Sequence, residues 1–168
     1  MERLVIYPGS FDPLTYGHLD IIERGVAIFG RLIVAAARNP HKNPLFDLKE
    51  RREMLELVLG DNPQVTIDVF DGLLIDYARK KKARVILRGL RALSDFESEF
   101  QMALMNRRQD AIMETVFMMT GESYSFLSSK LIKEIASFGG STKGLVPDLV
   151  ADRLQAKLSN HGGESEVS

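Results

Sequence analysis

A loop rich in turn-forming residues and closed by a histidine is the first segment whose composition could support chemistry. It spans residues 8–18, PGSFDPLTYGH, and lies between a short apolar run and a helical pattern. A helix that begins directly after a strand presents free N–H groups and the positive end of its dipole, which favour phosphate. Gly17 would let a ligand approach the backbone closely, and His18 in the first turn could face that ligand. The same residues are also typical of a tight turn with an incidental histidine.

Two sets of basic residues follow later apolar runs. Arg38, His41 and Lys42 come after the second run, and the segment 88–91, RGLR, comes after the fourth. Arginine binds phosphate through two parallel hydrogen bonds, whereas lysine serves as a mobile point charge. Each of these residues taken alone would by default be a solvated surface cation. Together with the first loop, the two sets predict a site for an anionic ligand.

A third segment, residues 124–130 with the sequence YSFLSSK, leads into another helical pattern. Ser128 or Ser129 is a natural N-cap for that helix, because a serine hydroxyl accepts a hydrogen bond from the free amides of the first turn. An ordinary cap would need no ligand. Beside the other loops, this helix start would add hydroxyl groups and the cation of Lys130 to the anion site.

Apolar runs and helical periodicities alternate along the chain and must position these loops. Apolar runs predict strands at about 4–7, 32–37, 85–87 and 115–119, and alternation of apolar and polar residues predicts a further strand at 65–70. The amphipathic stretches predict helices from about residues 16, 48, 73, 94, 128 and 147. Asp47 with Glu50, and Ser94 with Glu97, resemble capping boxes that open two of these helices.

Strand–helix alternation of this kind predicts an α/β fold with a five-stranded parallel sheet and helices on both faces. Strands that are buried on both sides are expected to be continuously apolar rather than strictly alternating, as most of these segments are. Ligands of such folds bind outside the carboxyl ends of the strands. The loops after residues 7, 37, 87 and 119 would therefore converge on one site.

The bulk composition excludes several classes of protein. The 168 residues suit one domain, which we expect to span residues 1–158 and to be followed by a polar, frayed tail at 159–168. A formal net charge of −1 provides no global field for nucleic acid or an anionic membrane surface. The absence of cysteine excludes disulfides and thiolate metal sites, and no apolar stretch approaches the roughly 20 residues of a membrane span. We therefore expect a cytoplasmic protein without nucleic-acid or membrane partners.

Several of these motifs together resemble a known family. The sequence Thr15-Tyr16-Gly17-His18 resembles the T-x-G-H motif of the nucleotidyltransferase superfamily, and residues 124–129 resemble its second, serine-rich motif. Segments 7–13, 88–91 and 95–97 together resemble the phosphopantetheine adenylyltransferase family. The similarity covers about residues 3–158.

The resemblance implies a single Rossmann-like nucleotidyltransferase domain. It also implies transfer of the adenylyl group of ATP to 4′-phosphopantetheine, a step of coenzyme A biosynthesis that yields dephospho-coenzyme A and pyrophosphate. Mg²⁺ would accompany ATP and be held mainly by its phosphates and water, because the sequence shows no dedicated cage of carboxylates. The chain would assemble as a homohexamer, built as a dimer of trimers.

The resemblance also assigns residues to roles. His18, Lys42 and Arg91 would be catalytic, and Ser10, Lys42, Leu74 and Arg88 would bind the acceptor. ATP would be bound by Ser10, Phe11, His18, Gly89, Leu90, Arg91, Glu99, Tyr124, Ser125, Phe126, Leu127, Ser128, Ser129 and Lys130. Three positions depart from the usual family pattern: Ser10 replaces a frequent threonine, Tyr124 a frequent tryptophan, and Lys130 a small hydroxyl residue.

Two other functions share parts of the pattern. The T-x-G-H motif would also serve an enzyme whose acceptor is nicotinate mononucleotide, or one that joins CTP to a polyol phosphate. The RGLR segment at 88–91 favours phosphopantetheine over both. A nucleotide-binding regulator without catalysis is the third possibility. His18 separates it from the enzymes, because a sensor has no need to stabilise transition-state charge.

Overall fold

The computed structural model of the chain describes residues 3–39 and 43–161. Within these residues the elements are, in chain order, β1 (Arg3–Gly9), α1 (Tyr16–Phe29), β2 (Gly30–Arg38), α2 (Leu48–Leu59), β3 (Val65–Asp71), α3 (Leu74–Lys81), β4 (Val85–Leu90), α4 (Leu93–Gln109), β5 (Glu114–Met119), a 3₁₀ helix (Glu122–Tyr124), α5 (Ser129–Ser137) and α6 (Asp148–His161). No helix in these two ranges is both long enough and apolar enough to cross a membrane.

The five strands form one sheet in the order β3-β2-β1-β4-β5. Every neighbouring pair is parallel, which confirms the predicted α/β fold class. The chain moves outward from β1 through β2 to β3 and then continues on the other side of β1 with β4 and β5. The direction of winding therefore changes between β1 and β4. Such a switch point opens a crevice at the carboxyl ends of the strands, where α/β sheets bind ligands.

Alternating residues of the strands feed a hydrophobic core on each face of the sheet. On one face, Val5 lies in a cluster that includes Ile22 of α1 and buried residues of α2, α5 and α6. On the other face, Ile6 lies in a cluster with Ile75 and Ala78 of α3. Since both faces of the central strands are covered, their apolar runs are continuous, as the sequence predicted.

Strand β4 is longer than its apolar run predicted. Arg88, Gly89 and Leu90 were expected in the loop after the strand, but they continue its ladder and pair with residues 117–119 of β5. Backbone pairing needs no particular side chain, so a polar residue and a glycine do not end the strand. The RGLR segment is thus mostly the carboxyl end of β4, and only Arg91 lies beyond it.

Two predicted helix boundaries also change. The box at Asp47 and Glu50 is confirmed, since each side chain accepts a hydrogen bond from the other residue's amide at 2.8 Å. The box at Ser94 is wrong: Ala92 is the N-cap of α4 and has no capping side-chain bond. At the other end of the chain, α6 continues to residue 161 and so includes the first three residues of the predicted tail. The remaining tail lies outside the described residues, and the division of the chain at residue 158 stays a prediction.

Candidate active site

Two adjoining cavities open at the carboxyl ends of β1 and β4. The first, the polar cavity, has a volume of about 330 Å³ and is lined by His18, Arg91 and residues 128–130 at the start of α5. The second, the apolar cavity, has a volume of about 680 Å³ and is lined by residues of α3 and α4 that include Leu74 and Met102. Residues 8–10, Arg88 and Glu99 line both cavities and form their common boundary.

His18 is held in the polar cavity by the N-cap of its own helix. The Thr15 amide donates a hydrogen bond to Nδ1 of His18 at 3.0 Å, and the Thr15 hydroxyl accepts one from the His18 amide at 3.3 Å. These two bonds form a capping box with histidine at the third helical position. Since Nδ1 accepts a hydrogen bond from a backbone amide, the neutral ring must carry its proton on Nε2. The imidazole is therefore oriented as a hydrogen-bond donor.

Burial of the ring, and after it the positive charges of Arg91 and Arg88, together lower the pKa of His18 from 6.5 to about 4. The ring is consequently neutral at neutral pH in the free protein. The imidazole and the ring of Phe11 pack in a T-shaped arrangement, with the two centroids 5.1 Å apart. A neutral His18, held by the Thr15 amide and by Phe11, can donate from Nε2 to a negatively charged ligand with no change in its own protonation state.

Both arginines of the site are restrained by carboxylates on α4. Arg91 donates from Nε to Asp95 at 3.0 Å and from Nη1 to the Leu127 carbonyl at 3.1 Å. Arg88 donates from Nε and Nη2 to the two oxygens of Glu99, at 2.7 and 2.5 Å. Arg88 also donates to the Pro8 carbonyl at 2.7 Å. The guanidinium groups are thus fixed in place before any ligand arrives.

The start of α5 forms part of the wall of the polar cavity that His18 also lines. Ser128 is the N-cap of the helix, as predicted, and its hydroxyl accepts a hydrogen bond from the Leu131 amide at 3.0 Å. The Ser129 hydroxyl donates to the Pro13 carbonyl at 2.8 Å and so ties α5 to the first loop. The amides of Ser129 and Lys130 at the helix start, and the side chain of Lys130, could then meet an anion.

Most of the predicted site residues come together in these two cavities. The polar cavity is lined by Ser10, Phe11, His18, Arg88, Gly89, Arg91, Glu99, Leu127, Ser128, Ser129 and Lys130. Leu74 lines only the apolar cavity. Four predicted nucleotide contacts are not among the residues that line the polar cavity: Leu90, Tyr124, Ser125 and Phe126. Lys42 and His41 lie outside the described residues.

Sequence reasoning missed several residues that shape the site. Thr15 was noted only as part of a motif, although its spacing to His18 is that of a capping box with histidine in place of glutamate. That spacing was a readable signal. Tyr7 and Asp95 also line the polar cavity. Both lie in segments that carry the family resemblance, 7–13 and 95–97, but neither was assigned a role. Arg51, which is far from the motifs in sequence, donates a hydrogen bond to the Ser10 carbonyl in the first loop.

The described part of the chain contains no cluster of side chains that would form a cage for a metal ion. Across residues 3–39 and 43–161, no group of three or more His, Cys, Asp or Glu side chains is arranged to hold one. The two carboxylates that line the polar cavity, Asp95 and Glu99, are both engaged by arginines. A cation in this cavity would therefore have to bring most of its ligands with it.

Comparison with known proteins gives a consistent result. A family model described as cytidylyltransferase-like matches residues 6–135. The chain is 56% identical over 156 residues to phosphopantetheine adenylyltransferase of Caldanaerobacter subterraneus subsp. tengcongensis, covering 93% of this chain and 98% of that protein. It is 54% identical over 160 residues to phosphopantetheine adenylyltransferase of Carboxydothermus hydrogenoformans, covering 95% and 99%. The protein of the same name from Anaeromyxobacter sp. strain K is 54% identical over 158 residues, covering 94% and 96%.

Proposed function

We propose that this chain, which belongs to the phosphopantetheine adenylyltransferases within the cytidylyltransferase-like family, transfers the adenylyl group of ATP to 4′-phosphopantetheine. An oxygen of the acceptor phosphate would attack the α-phosphorus of ATP, and the bond from that phosphorus to the oxygen leading to the β-phosphate would break. The products would be dephospho-coenzyme A and pyrophosphate.

One observation carries the proposal: a cation-rich cavity and an apolar cavity meet at Ser10, Arg88 and Glu99. The two substrates have matching characters. ATP is a polyanion, whereas phosphopantetheine is a long neutral arm that ends in a phosphate. With the neutral arm lying in the apolar cavity, its phosphate end would reach the shared boundary of the two cavities. The α-phosphate of ATP must be presented at that boundary.

The reaction asks little of the protein in covalent chemistry. The acceptor phosphate is already an anionic nucleophile at neutral pH, so no general base is needed. The difficulty is to bring two anions together in line and to stabilise the charge on the transferring and leaving groups. Positioning and fixed electrostatics supply most of the rate enhancement in phosphoryl and nucleotidyl transfer.

His18 and Arg91 would perform that stabilisation. His18 would donate from Nε2 to an oxygen of the α-phosphate, and its neutral state spares the enzyme a change of protonation during turnover. Arg91 and the first turn of α5 would hold the departing phosphates. Arg88, with the predicted contribution of Lys42, would hold the acceptor phosphate, and Leu74 would contact the pantetheine arm.

We propose that Mg²⁺ enters with ATP. Bound to ATP, it would neutralise part of the phosphate charge and favour departure of pyrophosphate. Asp95 and Glu99 are the carboxylates that could approach it, but each is paired with an arginine. Phosphate oxygens and water would therefore supply most of its ligands, as is usual for Mg²⁺ at nucleotide sites.

The direct test is an assay of pyrophosphate release by the purified protein with ATP and Mg²⁺. We expect turnover with 4′-phosphopantetheine and formation of dephospho-coenzyme A. Nicotinate mononucleotide with ATP, and a polyol phosphate with CTP, serve as control pairs. Turnover with a control pair and none with phosphopantetheine would show that the acceptor is wrong. ATP binding without turnover of any pair would favour a regulator.

We also propose that the chain assembles as a homohexamer. Support comes from apolar side chains that α4 presents to solvent in the single chain, among them Phe96 at 44% exposure and Phe100 at 46%. Exposed apolar clusters of this kind commonly mark protein–protein contacts. Analytical ultracentrifugation at micromolar concentration should give six times the mass of one chain. A stable monomer would contradict the proposal.

A cytoplasmic location is the last part of the proposal. It is supported by a sequence without cysteine and by substrates that belong to central metabolism. Fractionation of cells that express the tagged chain should recover it with cytoplasmic markers, and recovery with the membrane pellet would argue against this location.

A further inference from the structure

A buried arginine outside the two cavities described above holds the loop that forms their boundary. Arg51 lies in the first half of α2 and only 3% of its surface is exposed. Its Nη1 donates to the Ser10 carbonyl at 2.6 Å and to the Ala37 carbonyl at 3.0 Å. Its Nε donates to the Asp47 carbonyl at 3.3 Å. Among residues 3–39 and 43–161, it forms no direct ion pair with a carboxylate, so its charge rests mainly on backbone carbonyls.

The buried carboxylate of Asp12, two residues after Ser10, holds the same loop. Asp12, 5% exposed, accepts hydrogen bonds from the amides of Leu45 at 3.0 Å and Phe46 at 2.9 Å. It also accepts one from Nζ of Lys133 on α5 at 2.7 Å. Arg51, Asp12 and Lys133, which we name the clamp, thus connect the first loop to α2, to the segment before α2 and to α5.

Phe11, which lies between Ser10 and Asp12, has a strained backbone conformation. Phe11 has a φ of +48°, a left-handed conformation that bulky side chains rarely adopt. Such a conformation persists only where its surroundings determine it. The clamp restrains the backbone on both sides of Phe11, through the hydrogen bonds to the Ser10 carbonyl and to the Asp12 carboxylate. The ring of Phe11 then packs against the His18 imidazole, with centroids 5.1 Å apart.

A chain of contacts therefore runs from Arg51 to the centre of the proposed reaction. Ser10 lines the polar cavity, the apolar cavity and a third cavity of about 350 Å³ that Arg51 itself lines. Burial removes water from the charged guanidinium of Arg51, and this desolvation lowers its pKa. Burying a charge in this way does not by itself favour folding. A buried Arg51 is instead suited to holding the strained first loop in one conformation.

We propose that Arg51 is a positioning residue for adenylyl transfer: through the clamp it fixes Ser10 and Phe11, and through Phe11 it fixes His18. This inference rests on the proposed function for its reaction, whereas the clamp itself can be tested without catalysis. Misplacement of reacting groups by about 1 Å can cost roughly 10²-fold in rate. We therefore expect Arg51→Ala to lower kcat by roughly 10²-fold.

The kinetic experiment compares Arg51→Ala with Arg52→Ala. Arg52 is the adjacent residue, but it is exposed and pairs with Glu56 on the surface of the same helix. We expect Arg51→Ala to bind ATP within about threefold of wild type, since its loss affects alignment, not the contacts with ATP. Ethylguanidinium should restore at least part of kcat by entering the vacated site. Arg52→Ala should behave as wild type. An unchanged kcat in Arg51→Ala, or a loss that merely follows the unfolded fraction and that ethylguanidinium does not restore, would overturn the proposal.

Hydrogen exchange provides the second readout and does not depend on turnover. The amides of Leu45 and Phe46, which donate to Asp12 of the clamp, should exchange faster in Arg51→Ala, and ethylguanidinium should slow them again. Arg51→Lys, which keeps the charge but loses the two-pronged donor, should show a smaller version of both effects and serves if the alanine variant does not fold. Unchanged exchange in both variants would refute the clamp. A wild-type protein without turnover would refute the proposed function, and exchange alone would then decide on the clamp.

Discussion

The polar and apolar cavities share a boundary but are built in opposite ways. In the polar cavity, His18, Arg88 and Arg91 are each fixed by hydrogen bonds within the protein. The wall of the apolar cavity contains Met102 and Met105, flexible side chains that are more than half exposed in the single chain. One cavity is therefore organised before binding, whereas the other can adapt its shape to a ligand.

This difference follows from what each ligand would require. Charge that develops on a phosphate is stabilised best by donors that need no reorganisation at the moment of reaction. A neutral arm gains mainly from contact with apolar surface, which is not directional. We therefore expect substitutions in the polar cavity to change rate strongly, and substitutions in the apolar cavity to change acceptor affinity modestly.

The largest effect should come from His18→Ala. Removing one aimed donor typically lowers kcat by about 10² to 10³. ATP affinity, measured by calorimetry, should change far less, because the lost interaction is made mainly in the transition state. His161→Ala, at the last residue of α6, is the matched control and should turn over normally. If ATP affinity collapses while kcat is unchanged, His18 is a binding residue only.

Substitution of Arg88 and Lys42 should separate the acceptor from ATP. Arg88→Ala or Lys42→Ala should weaken phosphopantetheine binding by about 1.5–3 kcal/mol, the scale of a hydrogen bond to a charged group. ATP binding should stay nearly intact, whereas Arg91→Ala should show the reverse preference. Calorimetric titration of each variant with each substrate measures the division.

The ion pair between Arg88 and Glu99 requires a further control for that prediction. Arg88→Ala leaves Glu99 without its partner at the boundary, and the unpaired carboxylate would itself repel a phosphate. The double variant Arg88→Ala with Glu99→Gln removes that repulsion. Equal losses for ATP and acceptor in the double variant would show that the cavities are not divided between the substrates.

A smaller effect is expected from Leu74→Ala in the apolar cavity. Loss of apolar contact with the pantetheine arm should weaken acceptor binding by about 1 kcal/mol, given roughly 0.8 kcal/mol per buried methylene. The kcat at saturating acceptor should stay within about twofold of wild type, since uniform binding does not change the chemical step. Leu57→Ala, at an exposed position of α2, is the control. A large loss of kcat in Leu74→Ala would contradict the distinction between the cavities.

The smallest effect should be the response of His18 to pH. Its pKa is lowered to about 4, so lowering the pH from 8 to 5.5 should not protonate it in the free protein. Nitrogen NMR should show a neutral ring with the proton on Nε2 throughout this range. Titration of the His18 signal near 6.5 would contradict the fixed donor, and the His18→Gln variant identifies the signal.

The same shift has a consequence for stability. An unfolded chain would protonate this histidine near its ordinary value of 6.5, whereas the folded chain resists protonation down to about 4. The stability that His18 contributes is therefore fully present above pH 6.5 and is lost as the pH falls from there toward 4. Thermal melts of wild type and His18→Gln should diverge in that window, and parallel curves would contradict it.

The sequence by itself determined the sheet and most of the candidate site. Apolar runs predicted four of the five strands, and alternation of apolar and polar residues predicted β3, which lies at the edge of the sheet. A central strand covered on both faces has no polar side to interrupt its run. Once the strands were parallel, their carboxyl ends had to meet, and with them Ser10, His18, Arg88 and Arg91. These are consequences of periodicity and of local chemistry, which a single sequence contains.

Tertiary structure decided what those residues contact. The pairing of Arg88 with Glu99 crosses from β4 to α4, and the bond from Arg51 to Ser10 joins residues 41 positions apart. The end of β4 was also decided there, because hydrogen bonds to β5 continued a strand whose apolar pattern had stopped. Periodicity reports which face of an element is buried, but not which partner lies opposite it. The orientation of His18 lies between these cases. A local capping box orients its ring, whereas its lowered pKa depends on burial and on two arginines that only the folded sheet brings near.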